Sequence, residues 1–239
     1  MGYLLLEGGA EFSGRMIDAD SRALVLAGGE HVAVDIIPAA AAPDNNHHRA
    51  GQNGVQWFRG IGARNVVCRP VIDRDSADDQ ELSMQLRCSR LVFLLGGFPF
   101  HLAETLRGTH SWESICSVYQ TGGVIGGSSA GAMVLCETFY EPSSQTVVAG
   151  LNLMAGICLI PHYNSVGIAW VKRLLHLLPG FSILGIDEET GIINDAVYGG
   201  WTVYGGGRVV LYDQGNVHSY AAGAVISNEK LPSPQIDLM

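Results

Sequence analysis

Apolar residues along this chain fall into two patterns that alternate. Tyr3 to Leu6, His31 to Pro38, Asn65 to Val71 and Arg90 to Leu95 are short, largely apolar runs. Between and after them, Ile17 to Ala27, about Phe100 to Leu106 and Trp112 to Tyr119 repeat apolar residues at helical spacing. Gly28-Gly29 closes the first of these helices, as glycine does at helix C-termini. A strand with no polar alternation has no face left for solvent, so unbroken runs separated by helices predict a mostly parallel, doubly wound α/β sheet with helices on both faces. Ala39 to Gly54 contains Pro43, Asn45, Asn46, His47, His48 and two glycines, and reads as a mobile loop. Val55 to Ile61 reads as a helix end. The acidic stretch 72–81 (Asp73, Asp75, Asp78, Asp79, Glu81) reads as a solvated loop and helix start.

The second half is less regular. Thr146 to Gly150 and Ile157 to Ile160 are strand-like, and Val166 to Leu178 is helical with Lys172 and Arg173 placed near its end. Trp201 to Tyr204, Arg208 to Asp213 and His218 to Ala224 are short strands with glycine-rich turns between them. They predict a C-terminal antiparallel extension in the form of a meander. The segment from Lys230 onward reads as a tail. No repeat or linker divides the chain, so one domain over 1–239 is expected.

Composition narrows this picture. The chain has 239 residues, 47% of them apolar, enough for one sizeable core. Its formal net charge is -9 with few, scattered Lys and Arg, which gives no nucleic-acid footprint. No apolar run reaches the length of a bilayer span, and residues 1–10 lack the basic start and long apolar stretch of a secretory leader. Five cysteines (Cys68, Cys88, Cys116, Cys136, Cys158) form no C-x-x-C pair and read as free thiols in a reducing cytoplasm. No Cys/His/Asp pattern indicates a metal site, and no cofactor is expected.

The chemistry concentrates where an apolar run ends in Gly127-Ser128-Ser129-Ala130-Gly131. This is G-x-S-x-G, the pattern of a serine on a sharp strand-to-helix turn. Flanking side chains must be absent for such a turn to close, and a helix N-terminus favours developing negative charge. The pentapeptide alone also describes a phosphate-binding turn. A serine nucleophile needs a base, and the base needs an acid. Among eight histidines, His162 directly follows a strand, where sites form in parallel sheets. His101 follows the Gly96-Gly97 turn and is expected to line the same cleft, and His47 and His48 lie in the predicted loop. Asp187, Glu188 and Glu189 cluster at a strand end, and alternation does not say which points inward. Glu137 and Glu141 are alternatives. An oxyanion hole needs two convergent N–H groups, and Gly97 and Ala130 are the natural pair.

Four segments together, Leu95-Gly96-Gly97, Gly127-Ser128-Ser129-Ala130-Gly131-Ala132, Pro161-His162-Tyr163 and Gly185-Ile186-Asp187-Glu188-Glu189-Thr190, resemble the dipeptidase E and cyanophycinase family of serine peptidases. The resemblance runs from about residue 3 to residue 224. It implies a fold similar to class I glutamine amidotransferases, with serine at the elbow. It also implies Ser129 as nucleophile, His162 as base and Glu188 as acid, with Gly97 and Ala130 as oxyanion donors. A short-peptide substrate, no cofactor and a homodimer are further implications. The order Ser, His, Glu differs from the Ser, acid, His order of α/β-hydrolases. Two departures bear on the substrate. Phe98-Pro99-Phe100 follows the strand-end glycines where the family usually has Asn, Asp or Gln, which predicts an apolar wall. Cyanophycinases carry an arginine-rich stretch and a glutamine around the histidine, where this chain has Pro161 before it and Asn164-Ser165-Val166-Gly167-Ile168 after. An amino-terminal aspartate, as dipeptidase E prefers, calls for a cation, for which Arg173 or Lys172 is available. Phe98, His101 and Arg173 are therefore the expected substrate contacts.

Overall fold

The structure, a computed structural model, describes residues 1–236. The first half follows the predicted alternation. Strands β1 (Tyr3–Glu7), β2 (Ala33–Ile37), β3 (Asn65–Cys68), β4 (Leu91–Leu94) and β5 (Val124–Ser128) are separated by helices. These are α1 (Met16–Ala27), α2 (His47–Gly60), α3 (Arg74–Ala77), α4 (Gln80–Arg87), α5 (Pro99–Leu106) and α6 (His110–Gln120). The five strands pair in parallel in the order β1-β5-β4-β2-β3.

One stretch of this half differs from expectation, and the acidic stretch follows it. The predicted loop 39–54 holds a 3₁₀ turn (Ala39–Ala41) and most of α2. Its glycines are points of close approach. A Cβ on Gly51 would stand 2.3 Å from Cys68 Sγ, and one on Gly54 would stand 3.0 Å from the Phe12 ring. In the acidic stretch, Asp73 and Asp79 are N-caps, accepting from the amides of Ser76 and Leu82, so these carboxylates shape helix starts.

After β5 comes a single buried helical turn, α7 (Ala130–Val134), and then a second sheet. It begins with β6 (Cys136–Glu141), a strand the sequence pattern did not announce, followed by β7 (Thr146–Ala149) and β8 (Met154–Ile160). A 3₁₀ turn (Gly167–Trp170) and α8 (Val171–Leu177) lead to β9 (Ser182–Ile186). Arg173 and Lys172 therefore open α8 instead of ending it. The remaining strands are β10 (Thr190–Ile193), β11 (Trp201–Gly205), β12 (Arg208–Asp213), β13 (Asn216–Ala221) and β14 (Val225–Ile226). The expected meander is divided between two sheets. β10, β11 and β14 extend the large sheet antiparallel beside β1, while β12 pairs antiparallel with β9 and β13 with β12.

One face of the large sheet packs on α1 and α2 through Leu5, Met16, Ala23, Phe58 and Phe93. The other face, with α5, α6 and α7, shares one apolar core with the second sheet, including Leu94, Leu102, Ile125, Val134, Leu159 and Leu184. Of the expected tail, residues 230–236 are packed on the fold, and 237–239 lie outside the described residues. Leu231 is fully buried, Gln235 N–H donates to the Leu153 carbonyl, and Pro232 O accepts from the Trp201 indole. Among the described residues no helix is long and apolar enough to cross a membrane.

Candidate active site

The carboxyl end of β5 delivers the serine pair at the junction of both sheets. Ser128 is the last, fully buried residue of the strand. Ser129 follows with φ 50°, ψ -113°, a left-handed setting that a side chain tolerates only when its surroundings hold it. Here they do: Ser129 N–H donates to the Glu7 carbonyl at 3.1 Å, and its own carbonyl accepts from Met133. The flanking glycines are required by crowding. A Cβ on Gly131 would lie 2.1 Å from the Leu94 carbonyl oxygen, and one on Gly127 would lie 2.5 Å from the Gly131 backbone.

His162 stands just past the end of β8, also with positive φ (48°). Its N–H donates to the Gly8 carbonyl at 2.6 Å, and its carbonyl accepts from Ser165 and Gly167. The imidazole fills the space that a side chain at residue 9 would occupy, since a Cβ on Gly9 would come 2.3 Å from the ring. Nε2 lies 2.9 Å from Ser129 Oγ, and Nδ1 lies 2.9 Å from Glu188 Oε1.

The three adjacent acids diverge. Asp187 turns to β12, accepting from Arg208 N–H. Glu189 reaches back to the start of α1, accepting from Arg15 N–H. Glu188 alone meets the imidazole, with its own N–H held by Asn164 Oδ1 at 3.0 Å. Glu137 and Glu141 accept from Gly156 and Ser143 instead.

The strand-end glycines after β4 alternate in their hydrogen bonding. Gly96 N–H is taken by Glu11 Oε2 at 3.0 Å and Phe98 N–H by the Ala40 carbonyl at 2.8 Å. Gly97 N–H, between them, meets no acceptor among the described residues. Gly97 has φ 139°, and a Cβ there would strike the Ala40 carbonyl at 2.2 Å. Ala130 opens α7, so its N–H has no partner within the helix.

Phe98 and His101 line an apolar cavity of about 350 Å³ with Phe100, Glu141, Thr146 and Val148. Phe98 is half exposed in it, whereas His101 Nε2 lies 2.7 Å from the Ile72 carbonyl. Arg173 is not brought to the cleft. Its two terminal nitrogens donate to the side chain and backbone of Gln145, and its guanidinium lies over the Tyr140 ring. It ties α8 to the β6–β7 hairpin. His47 and His48 stack on α2, and no group of three metal-ligating side chains occurs among the described residues.

The sequence pattern passed over Gly9, Asn164 and Glu11. Gly9 and Glu11 follow the carboxyl end of β1, where the rule applied to Gly96-Gly97 would have found them. Glu11 belongs to a set of acids behind the elbow. Glu7 and Asp20 are fully buried, and Trp57 Nε1 donates to Asp20 at 2.8 Å. Burial pushes the Glu7 carboxyl well above the usual range, helped by the neighbouring Asp20, and raises Asp20 as well. Burial also lifts Glu11 to about 7, against the opposing hydrogen bond from Gly96.

The chain has relatives among known proteins. A cyanophycinase of Synechococcus elongatus is 28% identical over 96% of the chain and 74% of its own length. One of Geminocystis herdmanii is 26% identical over 95% and 85%. A solved structure of a peptidase from an acI-B1 Actinobacterium superposes with a TM-score of 0.84 at 27% identity, covering 95% of this chain and 97% of the other. A putative peptidase E from Listeria monocytogenes shares the fold at a TM-score of 0.59 and 16% identity, covering 93% of this chain and all of the other. The profile of peptidase family S51 matches residues 4–196, and the chain belongs to that family of serine peptidases.

Proposed function

We propose that the protein hydrolyses peptide or isopeptide bonds in short peptides through Ser129, His162 and Glu188. The observation that carries this reading is the continuous relay of two 2.9 Å contacts, Ser129 Oγ to His162 Nε2 and His162 Nδ1 to Glu188 Oε1. With Nδ1–H donated to Glu188, the imidazole holds its lone pair on Nε2, facing the serine hydroxyl. Ser129 Oγ attacks the carbonyl carbon while Nε2 takes its proton. The oxyanion is received by the N–H groups of Gly97 and Ala130. The C–N bond then breaks, and the imidazolium gives its proton to the leaving amine. A water deprotonated by His162 attacks the ester carbonyl, and Ser129 leaves with the proton restored. Glu188 stabilises the imidazolium without itself accepting the proton.

A fluorophosphonate probe tests this reading directly. The parent is expected to label, Ser128→Ala to label, and Ser129→Ala and His162→Ala to lose labelling. Hydrolysis of a panel of short peptides and cyanophycin would then define the scissile bond. A folded parent with an open cleft that does not label would overturn the assignment.

A further inference from the structure

The elbow rests on a buried carboxyl that the proposed reaction does not use. Glu7 ends β1 and stands opposite Ser128, the last residue of β5, in the register of the two strands. Side chains alternate along a strand, so Glu7 shares the face of Leu5, which packs under α1 and α2. Ser128 shares it too, because the missing side chain of Gly126, two residues earlier, would touch Phe93 and Leu5 on that face. Glu7 is pressed against α1: a Cβ on Gly191 would meet Ala19 Cβ at 3.3 Å and Glu7 Cγ at 3.4 Å. There the Glu7 carboxyl faces both Asp20 and Ser128, and all three side chains are sealed from solvent.

With both acids drawn as carboxylates, four buried oxygens in this cluster have no partner: Glu7 Oε1 and Oε2, Asp20 Oδ1 and Ser128 Oγ. Buried polar atoms in a native fold are matched, and no cation does it here. On α1, Arg15 is paired with Asp18 and Arg22 with Asp195. A single proton closes the set. Placed on Glu7, it is donated to Asp20 Oδ1, and the other Glu7 oxygen accepts the Ser128 hydroxyl. Asp20 Oδ2 already accepts from the Trp57 indole at 2.8 Å. That bond favours the charge on Asp20, which leaves the proton on Glu7. Glu7 then holds the elbow twice, since its backbone carbonyl also accepts the Ser129 N–H at 3.1 Å. Ser129, at φ 50°, keeps its setting only while its surroundings impose it.

Resting on the triad reading, we propose that Glu7 is a positioning residue of the elbow: as the carboxylic acid it donates to Asp20, accepts from Ser128 and so holds Ser129 in the conformation that meets His162.

The test compares the parent with two variants of similar size. Glu7→Gln offers an amide N–H to Asp20 and an amide oxygen to Ser128, as the acid does. Glu7→Met fills the space but leaves Asp20 Oδ1 and Ser128 Oγ unmatched. The readout is the fluorophosphonate labelling rate per folded molecule. Glu7→Gln is expected to label near the parent rate and Glu7→Met about 10–100-fold more slowly. A purely structural role would lower the urea midpoint of Glu7→Met and leave its rate per folded molecule at the parent's, which overturns the proposal, as does Glu7→Gln labelling as slowly as Glu7→Met. The infrared difference spectrum of parent minus Glu7→Gln at neutral pH reports the proton itself. A protonated-carboxyl C=O band supports the proposal, and carboxylate bands in its place overturn it. Should Glu7→Met not fold, Ser128→Ala takes its place: it is expected to label, but more slowly than the parent, and an unchanged rate overturns the proposal. A parent that does not label counts against the triad, and amide exchange over Val124–Val134 then decides for Glu7. Faster exchange in Glu7→Met or Ser128→Ala than in Glu7→Gln supports the positioning role, and equal exchange overturns it.

Discussion

At the residue scale the site is a set of backbone positions that tolerate little change. Ser129 and His162 both hold positive φ, and Gly9 is empty because the imidazole lies where its side chain would be. Gly9→Ala is therefore expected to displace His162, slowing fluorophosphonate labelling about 100-fold while the far-ultraviolet spectrum of the fold is kept. Labelling at the parent rate would mean that the ring is not held against residue 9. The acid can be read the same way. Nothing in Asp187-Glu188-Glu189 as a string distinguishes its members, because the chain reverses there and Glu189 itself has positive φ. Only the distant partners, Arg208, His162 and Arg15, separate them. Glu188→Gln should lower kcat by about 10²–10⁴-fold, with Asp187→Asn and Glu189→Gln showing much smaller losses. A dominant effect at Glu189 would reassign the acid. Ser129, His162 and the Gly97 turn were legible because strand ends of a parallel sheet gather chemistry; Arg173 misled because a charge on a helix says nothing of what that helix faces.

At the element scale the alternation of β1 to β5 with helices was legible, since burial on both faces leaves an unbroken apolar signature. The second sheet was not. β6 (C-E-T-F-Y-E) mixes exposures, and its partner β8 lies beyond an intervening hairpin. Likewise α2 hides behind glycines that look like loop signals but serve packing. Glycines of the two kinds should respond oppositely to substitution. Gly131, in α7, has the Leu94 carbonyl 2.1 Å from its would-be Cβ, whereas Gly60, at the end of α2, has open space. Gly131→Ala is expected to cost about 2–4 kcal/mol, since backbone must move. Gly60→Ala is expected to be neutral to stabilising by up to about 1 kcal/mol. Urea midpoints check both, and a tolerated Gly131→Ala would contradict the tight contact between α7 and β4.

For the whole molecule, the elbow is seated on protonatable acids, which ties stability to pH with a definite sign. Glu7, Asp20 and Glu11 are each raised chiefly by burial, Glu11 to about 7. In the unfolded chain such groups titrate near pH 4. Between about pH 4 and pH 7 the native state therefore holds protons that the unfolded state has released. Stability then falls as pH rises through this window. Asp73, lowered by its Ser76 cap, acts in the opposite sense but only at more acid pH. Asp20→Asn keeps an acceptor for the Trp57 indole and removes one titrating group, so its urea midpoint should vary less with pH than the parent's. A parent midpoint that rises from pH 5 to pH 7 would mean these acids are ionised in the folded protein and balanced by a cation.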